Sequence, residues 1–184
     1  MRQVKGSILI SIVKGIKANH QKRGEYDAIL SSRAKELLQK RILPGTWYSF
    51  EDYRECFDAV CFVEARNDPE TIIGWGRREG KLTFKSIYHS TVFNGDLQLA
   101  AEKYTRFHRK IFSFGEILTE VISNKEVRYI YTNLPRDWKN WYYTALGWAQ
   151  AFIELCIDKK VNYTFLTKSW VNGEWTKIKF SWGL

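Results

Sequence analysis

Cysteine is scarce in this sequence, and the few cysteines present do not stand at the spacings that metal centres require. Cys56, Cys61 and Cys156 form no C-x-x-C pair among the 184 residues. An odd number of cysteines among aliphatic neighbours is typical of buried free thiols in a reducing compartment. We therefore expect a cytoplasmic protein without a metal site.

Long apolar runs and familiar catalytic motifs are also missing. No apolar run approaches the length of a transmembrane helix, and the basic, then apolar N-terminus lacks a small-residue cleavage site. The sequence contains no nucleophile elbow, zinc-protease motif, phosphate-binding loop or dinucleotide-binding glycine pattern. His20, His89 and His108 are far apart, and the bases around His108 in the segment RFHRK favour a surface position for it. We expect no catalytic residues, and therefore not an enzyme.

Aromatic residues and basic charge, by contrast, are plentiful. Aromatic residues make up 16% of the chain, with eight tryptophans, and the formal net charge is +9. This composition supports a packed core, and it permits an acidic partner such as nucleic acid. The basic residues are scattered, without a run of five like charges, which favours an ordinary solvated surface. Nucleic-acid binding would use base stacking on the strand that carries Trp175, Lys177 and Lys179.

The apolar periodicity places helices first and strands last. Spacings of three and four predict five helices, over about 7–20, 24–40, 49–65, 70–90 and 96–111, with a turn at 93–96. Glycines 74, 76 and 80 weaken the helix propensity of the fourth. Alternation of period two predicts hairpins over 116–134 and 161–182, on either side of a long helix over 135–160.

This order of elements predicts the fold class. Two hairpins that flank one helix should build a four-stranded antiparallel sheet with that helix across one face. We expect an α+β fold in which the N-terminal helices pack on this sheet. The chain is interpreted as a single domain, 1–184, with a mainly helical part over 1–112 and a β-β-α-β-β part over 113–184.

Three aromatic residues follow a Pro-Gly pair in the segment LPGTWYSFEDY, residues 43–53. The Pro-Gly pair predicts the end of the second helix. Ser49 and Asp52 have the spacing of a capping box for the third helix, as Ser7 and Asp96 would cap the first and fifth. Trp47 and Phe50 are then expected to pin the corner to the core, with Trp47 buried.

Three segments of the chain match a known superfamily. They are KGSILISIVKGIKAN (5–19), ILPGTWYSFEDYREC (42–56), and LGWAQAFIELC with the hairpin VNYTFLTKSWVNGEWTKIKFSW that follows it. With them the sequence resembles bacterial proteins of the haem-nitric-oxide-binding-like and 4-vinyl-reductase-type superfamily, and most of all an uncharacterised myxobacterial family. The resemblance implies their fold and a role as a sensor.

The departures from the superfamily's pattern concern its cofactor and metal positions. The resemblance places two cysteines of related domains at Ser169 and Thr176, and hydroxyl groups are poor ligands for soft metals. A Tyr-x-Ser-x-Arg motif that grips haem propionates is matched by Tyr131 to Pro135, where Asn133 replaces serine and Pro135 replaces arginine. His108 is on the helix that carries the proximal ligand, but several residues too near the strand. We therefore expect no cofactor, with haem on His108 as the alternative.

The function that follows is a non-enzymatic bacterial sensor or adaptor domain that signals through protein contacts. A pocket beside the long helix would take a small apolar or amphipathic ligand. Its expected lining is Trp141, Ala145, Trp148 and Phe152 on the long helix, with Ile117 or Leu118 and Tyr129 or Tyr131 on the first hairpin. The expected partners are that ligand and a protein, either a second copy of the chain or another protein. The alternatives are a haem-binding gas sensor and a basic nucleic-acid-binding protein.

Overall fold

The computed structural model describes residues 1–87 and 97–183, and it confirms the α+β class. The predicted turn at 93–96, the cap Asp96 and His89 lie outside the described residues. The helices are α1 (Gly6–Ala18), α2 (Arg23–Ile29), α3 (Ser32–Gln39), α4 (Phe50–Ala65), α5 (Pro69–Ile87), α6 (Leu97–Ile111) and α7 (Lys139–Ile157). The strands are β1 (Gln3–Lys5), β2 (Trp47–Ser49), β3 (Glu116–Ser123), β4 (Glu126–Thr132), β5 (Asn162–Thr167) and β6 (Thr176–Ser181).

The chain divides into two compact units. The first consists of Met1–Asp68 with Arg109–Phe114, and the second of Pro69–His108 with Gly115–Leu184. The single domain over 1–184 therefore stays a prediction. No helix within residues 1–87 and 97–183 is long and apolar enough to cross a membrane.

The first unit packs helices around a short antiparallel ribbon. Strand β1 pairs with β2, and its central residue Val4, which is fully buried, also bridges to Phe112. Three predicted caps are wrong in this unit. Helix α1 begins at Gly6 with Lys5 as its N-cap, so Ser7 does not cap it. Ser49 precedes α4 but makes no capping hydrogen bond with its side chain.

Local side-chain bonds explain why these helices differ from the prediction. Asp52 bonds Arg33 on α3, with 2.6 Å between the Oδ1 and Nε atoms, so it does not complete a capping box. The helix predicted over 24–40 is two helices, because Ser31 breaks it and accepts a hydrogen bond from the amide of Ala34. A serine hydroxyl satisfies an amide that the helix leaves without a partner.

Trp47 is half-exposed, so its expected burial is wrong. It begins β2 opposite Lys5, whose Nζ lies 4.2 Å from the centroid of the indole ring. The buried anchor of this corner is Phe50, which packs edge-to-face on Phe114. The Pro-Gly segment therefore leads into a strand, and the strand leads into α4.

The second unit contains the four-stranded antiparallel sheet in the order β3-β4-β6-β5. Both predicted hairpins are confirmed, and the second hairpin returns its last strand beside β4. Val127, Tyr129 and Tyr131 alternate along β4 on the inner face, opposite the buried Phe180, Ile178 and Thr176 of β6. The long helix α7 begins at Lys139, four residues later than predicted at 135.

Helix α5 packs on α7 through Gly76, and this contact explains why glycine stands there despite its low helix propensity. A Cβ atom built on Gly76 would lie 2.2 Å from the carbonyl oxygen of Thr144. A Cβ atom on Gly147 would lie 2.1 Å from the carbonyl oxygen of Ile73. The two backbones thus approach so closely that only hydrogen fits between them, as in other small-residue helix crossings.

Candidate functional site

All but one of the residues expected to line the pocket face the interior of the second unit. Tyr129 and Tyr131 are fully buried on the inner face of the sheet, and Ile117 faces the same side as Tyr131 in the neighbouring strand. Trp141, Ala145 and Phe152 are buried on α7, and Trp148 is half-buried there.

Leu118 is the exception. Its strand partner is Ile130, on the outer face of the sheet, and half of its side chain (50%) is exposed. Because successive residues of a strand point to opposite faces, Ile117 and Leu118 cannot both line one pocket. Leu118 is therefore not a lining residue of the inner face.

Rings from α5 and α6, which the sequence interpretation missed, fill the space in front of the expected lining. Tyr104 of α6 stacks on Tyr129 at 4.8 Å, and Phe84 of α5 meets Phe152 edge-to-face at 4.8 Å. Phe107 stacks on Trp148 at 5.4 Å. These centroid distances are those of rings in contact. The expected lining therefore belongs to an aromatic cluster that packs as a core.

His108 is buried, so its expected surface position is wrong. Its side chain is only 3% exposed, on the face of α6 that also buries Ala101 and Tyr104. The imidazole meets Trp141 edge-to-face at 6.0 Å. The bases at 106, 109 and 110 are exposed on other faces of the same helix. Apolar and basic residues are mixed around His108 in the sequence, so the sequence does not reveal which face of this helix is buried.

The Nε2 atom of His108 is directed at backbone of the same unit. It lies 3.3 Å from the position that a Cβ atom would take on Gly115, whose φ of +75° places it in the left-handed region. Leu134 covers the other side of that glycine. A histidine that ligates haem iron needs a ring nitrogen open towards the metal. The nitrogen Nε2, which commonly has this role, thus lies beside Gly115 inside the second unit.

Tyr131 places a hydroxyl group in the aromatic cluster. Its oxygen has no hydrogen-bond partner of ordinary geometry within the described part of the chain, although the nearby Tyr104 hydroxyl adds to the rise of its pKa. Burial is the main cause, and it raises the pKa of Tyr104, Tyr129 and Tyr131 well above the ordinary value. All three therefore stay neutral and cannot supply charge to a ligand.

The stretch after Tyr131 has Asn133 and Pro135 at the positions of the motif's serine and arginine, with Arg136 next to them. Asn133 is exposed and adopts the left-handed conformation with a φ of 56°. Pro135 is buried, and its carbonyl oxygen accepts a hydrogen bond from the Tyr142 hydroxyl at 3.3 Å. Arg136 has an exposed side chain. Residues 131–135 therefore lack the arginine with which the superfamily's motif grips haem propionates.

Ser169 and Thr176 face each other across the second hairpin, as the resemblance implies for the cysteine positions. Their hydroxyl oxygens are 2.9 Å apart, and Ser169 also donates to the carbonyl oxygen of Arg136 at 3.0 Å. Thr176 accepts from the Ser169 amide at 3.1 Å. Each hydroxyl is thus used in a protein hydrogen bond. In the described ranges no three His, Cys, Asp or Glu residues are grouped as metal ligands.

The strand face that carries Trp175, Lys177 and Lys179 is suited poorly to phosphate binding. Lys177 forms an ion pair with Glu120 of β3, with 2.9 Å between Nζ and Oε2. Arg128 is similarly paired with Glu126 at 2.7 Å. A cation that is already paired with a carboxylate gains little free energy from a phosphate, because it gives up one anionic partner for another and releases few counterions.

Comparisons with known proteins concern the fold. No protein-family model matches the chain, and no curated protein matches it. Solved structures do match, over 98% of this chain and 95% or more of theirs. They include a structure from a study of haem distortion in the H-NOX (haem-nitric-oxide-binding) family, at 13% identity and a TM-score of 0.65.

Two further matches describe liganded and unliganded domains. An oxygen-binding H-NOX domain related to soluble guanylate cyclases, in its oxygen complex, matches at 11% identity with a TM-score of 0.64. An Fe(II) unliganded H-NOX protein mutant from K. algicida matches at 13% identity with a TM-score of 0.65. The relation to 4-vinyl-reductase-type domains and to the myxobacterial family stays a prediction. The chain has an H-NOX-like fold.

Proposed function

We propose that this protein is a non-enzymatic sensor or adaptor domain that signals through protein contacts and does not use haem. The observation that carries the proposal is the aromatic cluster of the second unit. Helices α5, α6 and α7 meet the sheet there through rings in contact, such as Tyr104 on Tyr129 at 4.8 Å. A small apolar or amphipathic ligand would have to displace one of these rings to enter the cluster.

The chemistry of the described side chains supports a non-enzymatic role. Burial raises the pKa of the Cys56 and Cys156 thiols to about 12, so these cysteines are not nucleophilic thiolates at neutral pH. The buried tyrosines are held neutral in the same way. Nucleophilic and acid–base catalysis need groups with pKa values near the working pH.

A haem-binding gas sensor is the second candidate, and the burial of His108 favours it. This imidazole lies on the helix before the first hairpin, among aromatic rings, where a lone histidine can ligate iron. Against it stands the replacement of the motif's arginine by Pro135.

Native mass spectrometry with an absorbance spectrum separates the two candidates. The adaptor proposal expects the mass of the polypeptide alone and no Soret band, both for the protein as purified and after haem addition. A Soret band that disappears in a His108→Ala variant, and persists in a matched variant of the exposed His20, would establish the gas sensor instead. Far-UV circular dichroism of both variants would check that they are folded.

The partner in the adaptor proposal is a protein, either a second copy of this chain or another protein. Light scattering of the purified protein measures the mass in solution and identifies the first case directly. A monomer that also retains a small apolar molecule in the mass spectrum would contradict the adaptor proposal. The aromatic cluster would then be a ligand site.

A further inference from the structure

A second group of aromatic rings in the second unit is only partly covered. Tyr143 of α7, Phe165 of β5 and Trp170 of the loop that joins β5 to β6 are each half-buried. The aromatic cluster behind the sheet differs from them, because rings such as Tyr129 and Phe84 are fully buried there. Burial in a core therefore does not account for the parts of these three rings that reach solvent.

The three rings stand nearly perpendicular to one another. The ring planes of Tyr143 and Phe165 meet at 80°, those of Tyr143 and Trp170 at 73°, and those of Phe165 and Trp170 at 87°. The corresponding distances between ring centroids are 6.1, 5.5 and 5.5 Å. Three perpendicular planes form a corner, and we call these three residues the three-ring cage.

The three-ring cage is held by three different elements of the fold. The Trp170 ring stacks on the buried ring of Tyr142 at 5.3 Å. The residue before it, Ser169, is fixed through its hydroxyl group, which lies 2.9 Å from that of Thr176. Phe165 is in register with β6 in the sheet, and Tyr143 is inside α7. Since the rings are positioned before any ligand arrives, binding would cost little ordering of side chains.

A cation of the chain already lies over one ring of the cage. The Nζ atom of the exposed Lys168 is 5.3 Å from the centroid of the Phe165 ring. The face of an aromatic ring carries partial negative charge and attracts cations within about 6 Å of its centroid. A point equally distant from three perpendicular rings whose centroids are 5.5–6.1 Å apart lies roughly 4 Å from each of them, well within that limit. One cation could therefore contact all three rings of the cage.

We propose that the three-ring cage binds a trimethylammonium group, as carried by choline and related quaternary amines. Such a group is cationic, is covered by methyl groups and has no N–H to donate, so aromatic faces can replace its water at little cost. A primary ammonium such as that of Lys168 keeps its hydration more strongly, so a quaternary amine can displace it. This ligand site is additional to the proposed protein contacts and does not depend on them.

A nucleic-acid base is the other ligand that aromatic rings beside a lysine can take, and the geometry favours it less. A base stacks with its plane parallel to one ring. A base laid on any ring of the cage would meet the other two rings, which stand at 73° to 87° to the first. A compact, rounded group such as trimethylammonium fits a corner of three perpendicular planes better than a flat base does.

Titration of the full-length protein with choline chloride tests the charge requirement. The indole N–H signals of the eight tryptophans are followed by NMR, and the signal that a Trp170→Phe variant lacks is assigned to Trp170. Choline should shift this signal in a saturable way. The neutral isostere 3,3-dimethylbutan-1-ol has the same shape without the charge, and it should bind at least roughly fivefold more weakly. Equal affinities would overturn the proposal, because the rings would then be an ordinary apolar patch, and so would the absence of any shift with choline.

Variants of single rings test the place of binding. Tyr143→Leu and Phe165→Leu should each bind choline roughly fivefold more weakly, because each removes one of three aromatic faces. The matched control is Tyr163→Leu, which removes a half-buried ring from the same face of β5, two residues before Phe165, and should leave the affinity unchanged. Circular dichroism checks that all three variants are folded, and equal losses in the variants and the control would overturn the proposal.

Phosphatidylcholine vesicles distinguish the two sources of a trimethylammonium group. Co-sedimentation of the protein with these vesicles that is lost in Phe165→Leu would support the cage with a lipid headgroup as its ligand. Choline binding without co-sedimentation would support the cage with a free quaternary amine as its ligand. Co-sedimentation that Phe165→Leu leaves unchanged, together with no response to choline, would contradict the cage in either form.

Discussion

Replacing Gly76 with alanine tests the close approach of α5 to α7. The added Cβ atom would lie 2.2 Å from the carbonyl oxygen of Thr144 and 2.9 Å from its carbonyl carbon. Ordinary contact needs about 3.4 Å, so the helices must separate by roughly an ångström. Because the obstacle is backbone and not a flexible side chain, we assign about 3 kcal/mol to this overpacking. Alanine returns about 1 kcal/mol through its helix propensity.

The expected net loss for Gly76→Ala is therefore about 2 kcal/mol, or roughly 4–8 °C in Tm for a chain of this size. Gly74→Ala is the matched control on the same helix, since a Cβ atom there has no heavy atom within 4 Å. It should stabilise the protein by about 1 kcal/mol. Urea unfolding followed by circular dichroism measures both variants. If Gly76→Ala were as stable as Gly74→Ala, the glycine contact between the helices would not exist.

Three other predictions follow from buried polar groups. Ser169→Ala should cost about 1–3 kcal/mol in unfolding experiments, because it removes the buried hydroxyl that bonds both Thr176 and the Arg136 carbonyl oxygen; an unchanged midpoint would contradict these hydrogen bonds. Burial raises the pKa of Cys56 and Cys156 to about 12, so a thiol reagent should label the folded protein slowly at neutral pH and the urea-unfolded protein fast. Equal rates would mean that the thiols are open to solvent. Burial opposes the ionisation of Glu64, but hydrogen bonds, from Lys22 above all, keep its pKa below the ordinary value. The stability from this carboxylate is therefore complete above the pKa of an unfolded glutamate and is lost as pH falls through the lowered pKa. Urea unfolding against pH should show a shallower acid limb for Glu64→Gln, and parallel limbs would refute it.

The sheet of the second unit was predictable because its signals are local. Period-two alternation identifies β4 and β6, and the Asn172–Gly173 pair lies in the loop of residues 168–175 that joins β5 to β6. Strand pairing then follows from having two hairpins and one helix to cover them. Tyr129 and Tyr131, which the sequence offered as pocket lining, are buried on the inner face of this sheet.

The aromatic cluster was predicted only in part, because the rings that α5 and α6 contribute are distant in sequence from the first hairpin and from α7. Tyr104 stacks on Tyr129 and Phe84 meets Phe152, and neither residue has a motif that signals its contact. His108 lies between exposed bases, so local charge argued for the surface. Its burial depends on which face of α6 meets Trp141, and that is decided by packing.

By itself, the sequence determined the order of helices and hairpins, the alternation within the strands and the absence of known catalytic motifs. These depend on residues within a few positions of one another. Only the tertiary structure decided the packing role of Gly76, the burial of His108 and the exposure of Leu43. Each of these depends on the distance between segments far apart in the chain. Helix propensity and apolar periodicity describe residues that are close in sequence, so they contain no information on that distance.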